Sequence, residues 1–171
     1  MMQRGCVLAL TGKPSDAVET MTSGIAAWRS TGSTSYLPLY LTYLARTFAM
    51  IGQFDDARRC IGEATIVMDT TKDKWAEAEL NRAAGEIVLL ELEPDVPRAE
   101  AYFERALAVA RQQQAKSWEL RAAMSLAHLG RDQGKVQQAR ELLAPVYGWF
   151  TEGFDTRDLK EAKALLEELG T

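Results

Sequence analysis

The side chains able to do chemistry are few and scattered. His128 is the only histidine in the chain of 171 residues, and Cys6 and Cys60 are its only cysteines. A lone histidine acting as acid or base needs an orienting partner and a substrate pocket, and the sequence offers no motif for either. Metal binding needs several ligands at set spacing, yet there is no H-x₃-H pair, no CxxC pair and no Cys/His cluster. The phosphate loop G-x-x-x-x-G-K-[ST] is absent too. Asp55-Asp56 and Glu167-Glu168 are paired acids, one at an expected helix start and one on a polar face, where solvated charge accounts for them. Both cysteines fall in expected helices, where the favoured reading is a buried reduced thiol that behaves as a small hydrophobe, with a disulfide or metal role as the alternative. The expectation is a chain that is no enzyme and carries no cofactor and no metal.

What the sequence does carry is repetition. Gly12-Lys13-Pro14-Ser15-Asp16-Ala17 is echoed by Gly52-Gln53-Phe54-Asp55-Asp56-Ala57 and by Gly134-Lys135-Val136-Gln137-Gln138-Ala139. A looser echo runs from Glu93 to Ala99. The marker alanines Ala17, Ala57, Ala99 and Ala139 lie 40, 42 and 40 residues apart. A period of this size is the mark of a solenoid of stacked helix pairs. Composition agrees, since strong helix formers dominate the periodic stretches and only five prolines occur.

Four units follow, over about 1–31, 36–70, 74–113 and 117–150, within one domain spanning 1–171. Each has a helix A, a turn and a helix B. Pro14 suits the first turn of its helix B, and Gly52 and Gly134 suit the left-handed backbone that closes a helix. Asp55 is expected to cap the second helix B. Two prolines between Glu93 and Pro97 widen the third turn. The fourth helix B is expected from about Gln137 to Phe150, with Pro145 loosening its end. A last amphipathic helix over 158–169 carries Leu159, Ala162, Leu165, Leu166 and Leu169 as its stripe and is expected to cap the open solenoid end.

Aligned on the marker alanines, helix B reads Ala17/Met21/Gly24, Ala57/Ile61/Ala64, Ala99/Phe103/Ala106 and Ala139/Leu143/Val146. Helix A reads Leu41/Leu44/Ala45/Phe48 and Leu80/Ala83/Ala84/Ile87, then Ala123/Leu126/Ala127 with Gly130 in place of a large residue. This pattern resembles the tetratricopeptide repeat (TPR), stretched from the usual period of about 34 residues. The resemblance implies an all-α, right-handed TPR-like superhelical solenoid that binds other proteins. A narrower likeness covers 115–127, 143–156 and 158–163. These stretches are similar to the C-terminal repeat region of multidomain bacterial adenylate/guanylate cyclase-like and signal-transduction ATPase proteins. No cyclase or ATPase motif is present here.

In such a superhelix, the resemblance implies that helix A lines a concave groove. Counting from the core positions puts Arg46, Gly85 and His128 at one groove-facing position, and Thr42, Asn81 and Met124 at another. A shift of one residue in unit three presents Arg82 and Glu86 instead. Arg46, Asn81, Arg82, Arg121, Met124 and His128 are the candidate protein-binding residues, set against an ordinary solvated helix face. Tyr36, Trp75 and Trp118 recur just before helix A, either as a ladder for ligand stacking or, on the favoured reading, as packing between successive units. Trp149, Phe150 and Phe154 are expected to seat the last helix, with a partner-binding hot spot as the alternative.

The net charge of −4 argues against a nucleic-acid partner. The apolar stretch near the N-terminus is too short to span a membrane and lacks a signal-peptide cleavage pattern, so a cytoplasmic location is expected. The expected partner is a protein or peptide segment, or a second copy docked on the Met1 end, where Met1, Val7 and Leu8 would stand exposed. The alternative is a regulatory, effector-sensing segment of a larger signalling protein.

Overall fold

The computed structural model describes residues 2–170. Met1 and the side chain of Cys6 lie outside the described residues, and with them the expected Met1 surface and the expected state of the Cys6 thiol. Nine helices run in chain order among the described residues: α1 Met2–Leu10, α2 Pro14–Ser30, α3 Leu37–Met50, α4 Phe54–Thr71, α5 Glu77–Leu90, α6 Val96–Gln112, α7 Lys116–Asp132, α8 Val136–Tyr147 and α9 Arg157–Glu168. No strand occurs among the described residues.

The odd helices stack on one another, α3 on α5, α5 on α7 and α7 on α9, while each even helix packs on the odd helices before and after it. The backbones of the even helices α2, α4, α6 and α8 stand apart from each other, with Arg29 of α2 reaching Glu63 of α4 as an ion pair. This is an all-α TPR-like solenoid with a continuous inner layer of odd helices. Leu159, Ala162 and Leu165 of α9, with Leu169 just after it, are buried in one cluster with Leu120, Ala123, Leu143 and Val146, which covers the end of the stack.

Glycine closes three of the odd helices in one way. Gly12, Gly52 and Gly134 hold φ of 77°, 76° and 75°, a region that costs side-chain-bearing residues energy. The amide one residue later then reaches back to a helix carbonyl: Lys13 to Leu8 at 3.0 Å, Gln53 to Phe48 at 2.9 Å and Lys135 to Gly130 at 2.8 Å. Unit three turns differently. Glu91 is extended, and Asp95 caps α6 by accepting the Arg98 amide at 3.0 Å. In unit two, by contrast, Gln53 precedes the first helical residue Phe54. Asp55 is therefore inside the first turn, where its carboxylate pairs with Arg58 at 2.6 Å instead of capping. The helix B of unit four stops at Tyr147, short of the expected Phe150; Pro145 supplies no amide there, and Gly148 donates to Ala144 O at 2.9 Å.

Each pair is held by a small residue on helix A facing a large one on helix B. A Cβ on Gly5 would collide with the Met21 side chain, and one on Gly85 would lie 2.5 Å from the Phe103 ring. Gly5 stands 12 residues before Ala17, as Ala45 does before Ala57 and Ala127 before Ala139. Gly85 occupies the same place before Ala99 once the two extra turn residues are counted. Ile61 packs on the core that contains Ala45, and Leu143 shares a core with Ala127. The volumes compensate: glycine faces Met21 and Phe103, and alanine goes with Ile61 and Leu143. Gly130 follows the same logic one turn on, where an added Cβ would sit 3.3 Å from the Ala139 Cβ.

Two substitutions of one chemical kind should therefore have opposite signs. Gly85→Ala forces the Phe103 ring to move and should destabilise by about 1–3 kcal/mol, whereas a Cβ on Gly62 in α4 meets nothing within 4 Å. Gly62→Ala should stabilise by about 0.5–1 kcal/mol through helix propensity. Urea unfolding of both variants checks this, and adding Phe103→Leu to Gly85→Ala should recover part of the loss.

Candidate functional site

The Gly85–Phe103 contact settles the register of unit three. Gly85, and not Ala84, is the partner of Ala45, so the candidates shift by one residue: Glu86 aligns with Arg46 and His128, and Arg82 with Thr42 and Met124. The ion pairs agree. Arg46 Nε on α3 lies 2.9 Å from Glu86 Oε2 on α5 as an ion pair, and Arg46 Nη1 lies 3.6 Å from Glu79 Oε1.

Behind this pair is a buried one. The Glu79 side chain is only 1% exposed, and Arg82 is buried beside it. Arg82 Nε and Nη2 donate to the two Glu79 oxygens at 2.9 and 2.6 Å, and its third nitrogen pairs with Glu86. Such a fork satisfies both partners in a place where either charge alone would be costly. Burial acts to raise the Glu79 pKa, but the hydrogen bonds from Arg82, then the charges of Arg82, Arg46 and Arg121, hold it below the usual glutamate value. Arg121 on α7 donates through Nε to Asp158 on α9 at 2.6 Å. Three arginines and three carboxylates thus join α3 to α5 and α7 to α9, and their charges cancel.

The other candidates are placed less productively. Asn81 spends its amide on Glu77 O at 2.8 Å, and Met124 is buried in the core of α7. His128 stands at the surface of α7. Partial burial and then the charge of Arg131 hold its pKa below the ordinary value, so at neutral pH it is an uncharged hydrogen-bonding group. Glu86 follows from the shifted register of unit three, whereas Glu79 and Asp158 carry no such mark in the sequence, although the spacing Glu79-x₂-Arg82-x₃-Glu86 is one at which helical side chains meet. Cys60 is buried, with its thiol pushed up to about 11 by burial and then by Glu63, so it is a packing residue and no nucleophile. No group of three or more metal-ligating side chains occurs among the described residues.

The three recurring aromatic residues touch one another; Tyr36 and Trp75 precede α3 and α5, while Trp118 lies inside the first turn of α7, one turn later than expected. Trp75 and Trp118 stack at 5.7 Å with planes 19° apart, and Tyr36 meets Trp75 edge-on at 5.2 Å. Tyr40 and Trp28 continue the row, and the Trp28 indole donates to Ser35 O at 2.9 Å. The rings largely occupy each other's faces, an arrangement that joins units two to four. At the far end Phe150 packs on the α7–α9 core, while Trp149 and Phe154 remain exposed. Trp149 lies under the Lys116 ammonium at 5.4 Å.

No family model and no curated protein matches this sequence. Solved structures do. The chain is similar to a kinesin light chain-like protein of nearly identical TPR-like repeats from Podosopora anserina, with TM-score 0.67 and 17% identity over 98% of this chain and 82% of that one. A single-substitution variant of the same protein gives TM-score 0.65 and 18% identity, over 99% and 91% of the two chains. At this identity the likeness establishes the fold alone. No helix among the described residues is long and apolar enough to cross a membrane.

The buried pair has a pH signature. A carboxylate whose folded pKa is depressed contributes stability above its unfolded value of about 4.3 and loses it as pH falls through the folded pKa. Glu79→Gln leaves Arg82 half-paired and should cost about 3 kcal/mol at pH 7. Chemical unfolding at pH 7 and pH 3 should show the gap between wild type and variant narrowing at the lower pH.

Proposed function

We propose that this chain is a non-catalytic protein-interaction module that takes an extended or helical segment of a partner along the face of its odd helices. TPR-like folds generally mediate contacts between proteins. The observation that carries the reading is the state of the two outer arginines. Arg46 and Arg121 keep 39% and 32% of their side chains exposed while carboxylates fix their orientation. A guanidinium has five N–H donors, and each of these spends only part of its set on the acids. The remaining donors are held in place beforehand, which lowers the cost of ordering them on binding. Because the cluster is neutral, the donors suit backbone carbonyls of a partner better than a bare carboxylate. His128, uncharged and on the same face of α7 as Arg121, adds another polar contact.

Two finer readings belong here. The likeness of 115–127, 143–156 and 158–163 to the repeat region of cyclase-like and ATPase-type signalling proteins supports a regulatory role within a larger assembly. Catalytic-domain motifs in frame upstream of Met1 would be its first support, and their absence would remove it. Exposed Val7 on α1 supports self-association at that end, and light scattering that finds a strict monomer at high concentration would end that reading.

Affinity capture followed by mass spectrometry tests the main proposal. Arg46→Ala with Arg121→Ala should weaken a captured partner by about tenfold, the scale of losing a few charge-assisted hydrogen bonds. The Glu79–Arg82 pair survives in that variant, so the fold is expected to stay intact by circular dichroism. Undiminished capture by the double variant would contradict binding on this face.

A further inference from the structure

The charged face ends in an apolar step. Arg46 and Glu86 pair across α3 and α5, and the same two faces one turn later carry Met50 and Leu90, the last residues of their helices. Met50 is 56% and Leu90 54% exposed. Leu92, in the widened turn after α5, is 96% exposed. Single exposed leucines are ordinary, but Met50 and Leu90 at the end of one face, with Leu92 two residues further along the chain, are apolar surface that gains from being covered.

The charges beside the step are one-sided. Arg58 is taken by Asp55 and Glu91, at 2.6 and 2.5 Å, and Arg59 by Asp56. The Arg98 guanidinium lies over the Tyr102 ring at 5.8 Å. Asp95 accepts only a backbone amide, and Glu93 is exposed with no ion pair among the described residues. Leu92 is thus followed within three residues by two carboxylates, Glu93 and Asp95, that have no ion pair among the described residues.

We propose that Met50, Leu90 and Leu92 form a docking surface for a basic amphipathic segment of a partner protein, with Glu93 and Asp95 meeting its lysines or arginines. This rests on the interaction-module reading above and adds the chemistry of the partner. Charge selects this occupant over a second copy of the chain. A symmetric contact between two copies would set Glu93 and Asp95 against the same acids, in a protein whose net charge is already −4. A basic segment instead neutralises them while its apolar stripe covers the three side chains. The widened proline turn of unit three acquires a use, since it alone carries Leu92 outward.

Two synthetic amphipathic peptides provide the test, sharing leucines at i, i+3, i+4 and i+7 and differing only in lysine or glutamate on the polar face. Fluorescence anisotropy with the full chain should show saturable binding of the lysine peptide, with the glutamate peptide at least about tenfold weaker and the difference shrinking as salt rises. Leu92→Ser and Glu93→Lys change exposed positions and should each weaken the lysine peptide by about fivefold or more, with unchanged circular dichroism. Equal binding of the two peptides, indifference to both substitutions, or no saturation below about 1 mM would overturn the proposal. So would a dimer in sedimentation that Leu92→Ser dissolves, because it would assign the surface to a second copy. Partner capture lost with Arg46→Ala and Arg121→Ala but kept with Leu92→Ser would leave the broader reading standing and remove this one. Peptide binding without any partner capture would do the reverse.

Discussion

The fold depends on how closely helix A approaches helix B within each pair. Glycine or alanine on one side, with methionine, phenylalanine, isoleucine or leucine on the other, sets that distance at the same place in every unit. Where the large residue is Met21 or Phe103, even a methyl group across from it is too much. A uniform approach lets the odd helices lie side by side, and only then can Arg46 reach Glu86 and Arg121 reach Asp158. The face proposed for binding is therefore a consequence of core packing. Its geometry would be lost if one pair opened by an ångström or two, because charge-assisted hydrogen bonds between helices have little tolerance in length.

The ion pairs give this face an unusual character. Free arginines in a groove would draw in acidic ligands. Here each guanidinium already has a carboxylate, and the innermost pair, Glu79 with Arg82, is shut away from solvent. Both residues lie on α5, and the pair orients what lies in front of it, Glu86 and through it Arg46. Specificity must then come from elsewhere along the face, and the apolar end at Met50, Leu90 and Leu92 is where side chains without partners gather.

Much of this architecture was legible beforehand. The period, the marker alanines and the closing glycines place the helices to within a few residues, because left-handed turns and small core positions leave direct marks on residue type. The register of unit three was not legible. Its longer turn blurs the count, and Ala83, Ala84 and Gly85 form a run of small residues in which any one fits the pattern. The large residue across the pair, Phe103, decides the matter, and that needs three dimensions. The burial of Arg82 is not legible for a related reason: arginine on a helix is nearly always a surface residue, and only the carboxylates at Glu79 and Glu86 make its burial tolerable. Asp55 looked like a cap because the sequence pattern cannot tell a residue before the first turn from one inside it.

The most direct measurement is the structure of the chain bound to a segment of a captured partner. The account predicts main-chain carbonyls of that segment within hydrogen-bond distance of the Arg46 and Arg121 guanidinium groups, with the Glu79–Arg82 pair undisturbed behind them. A segment seated on the even helices α2, α4, α6 or α8, with the odd-helix face left open, would contradict it.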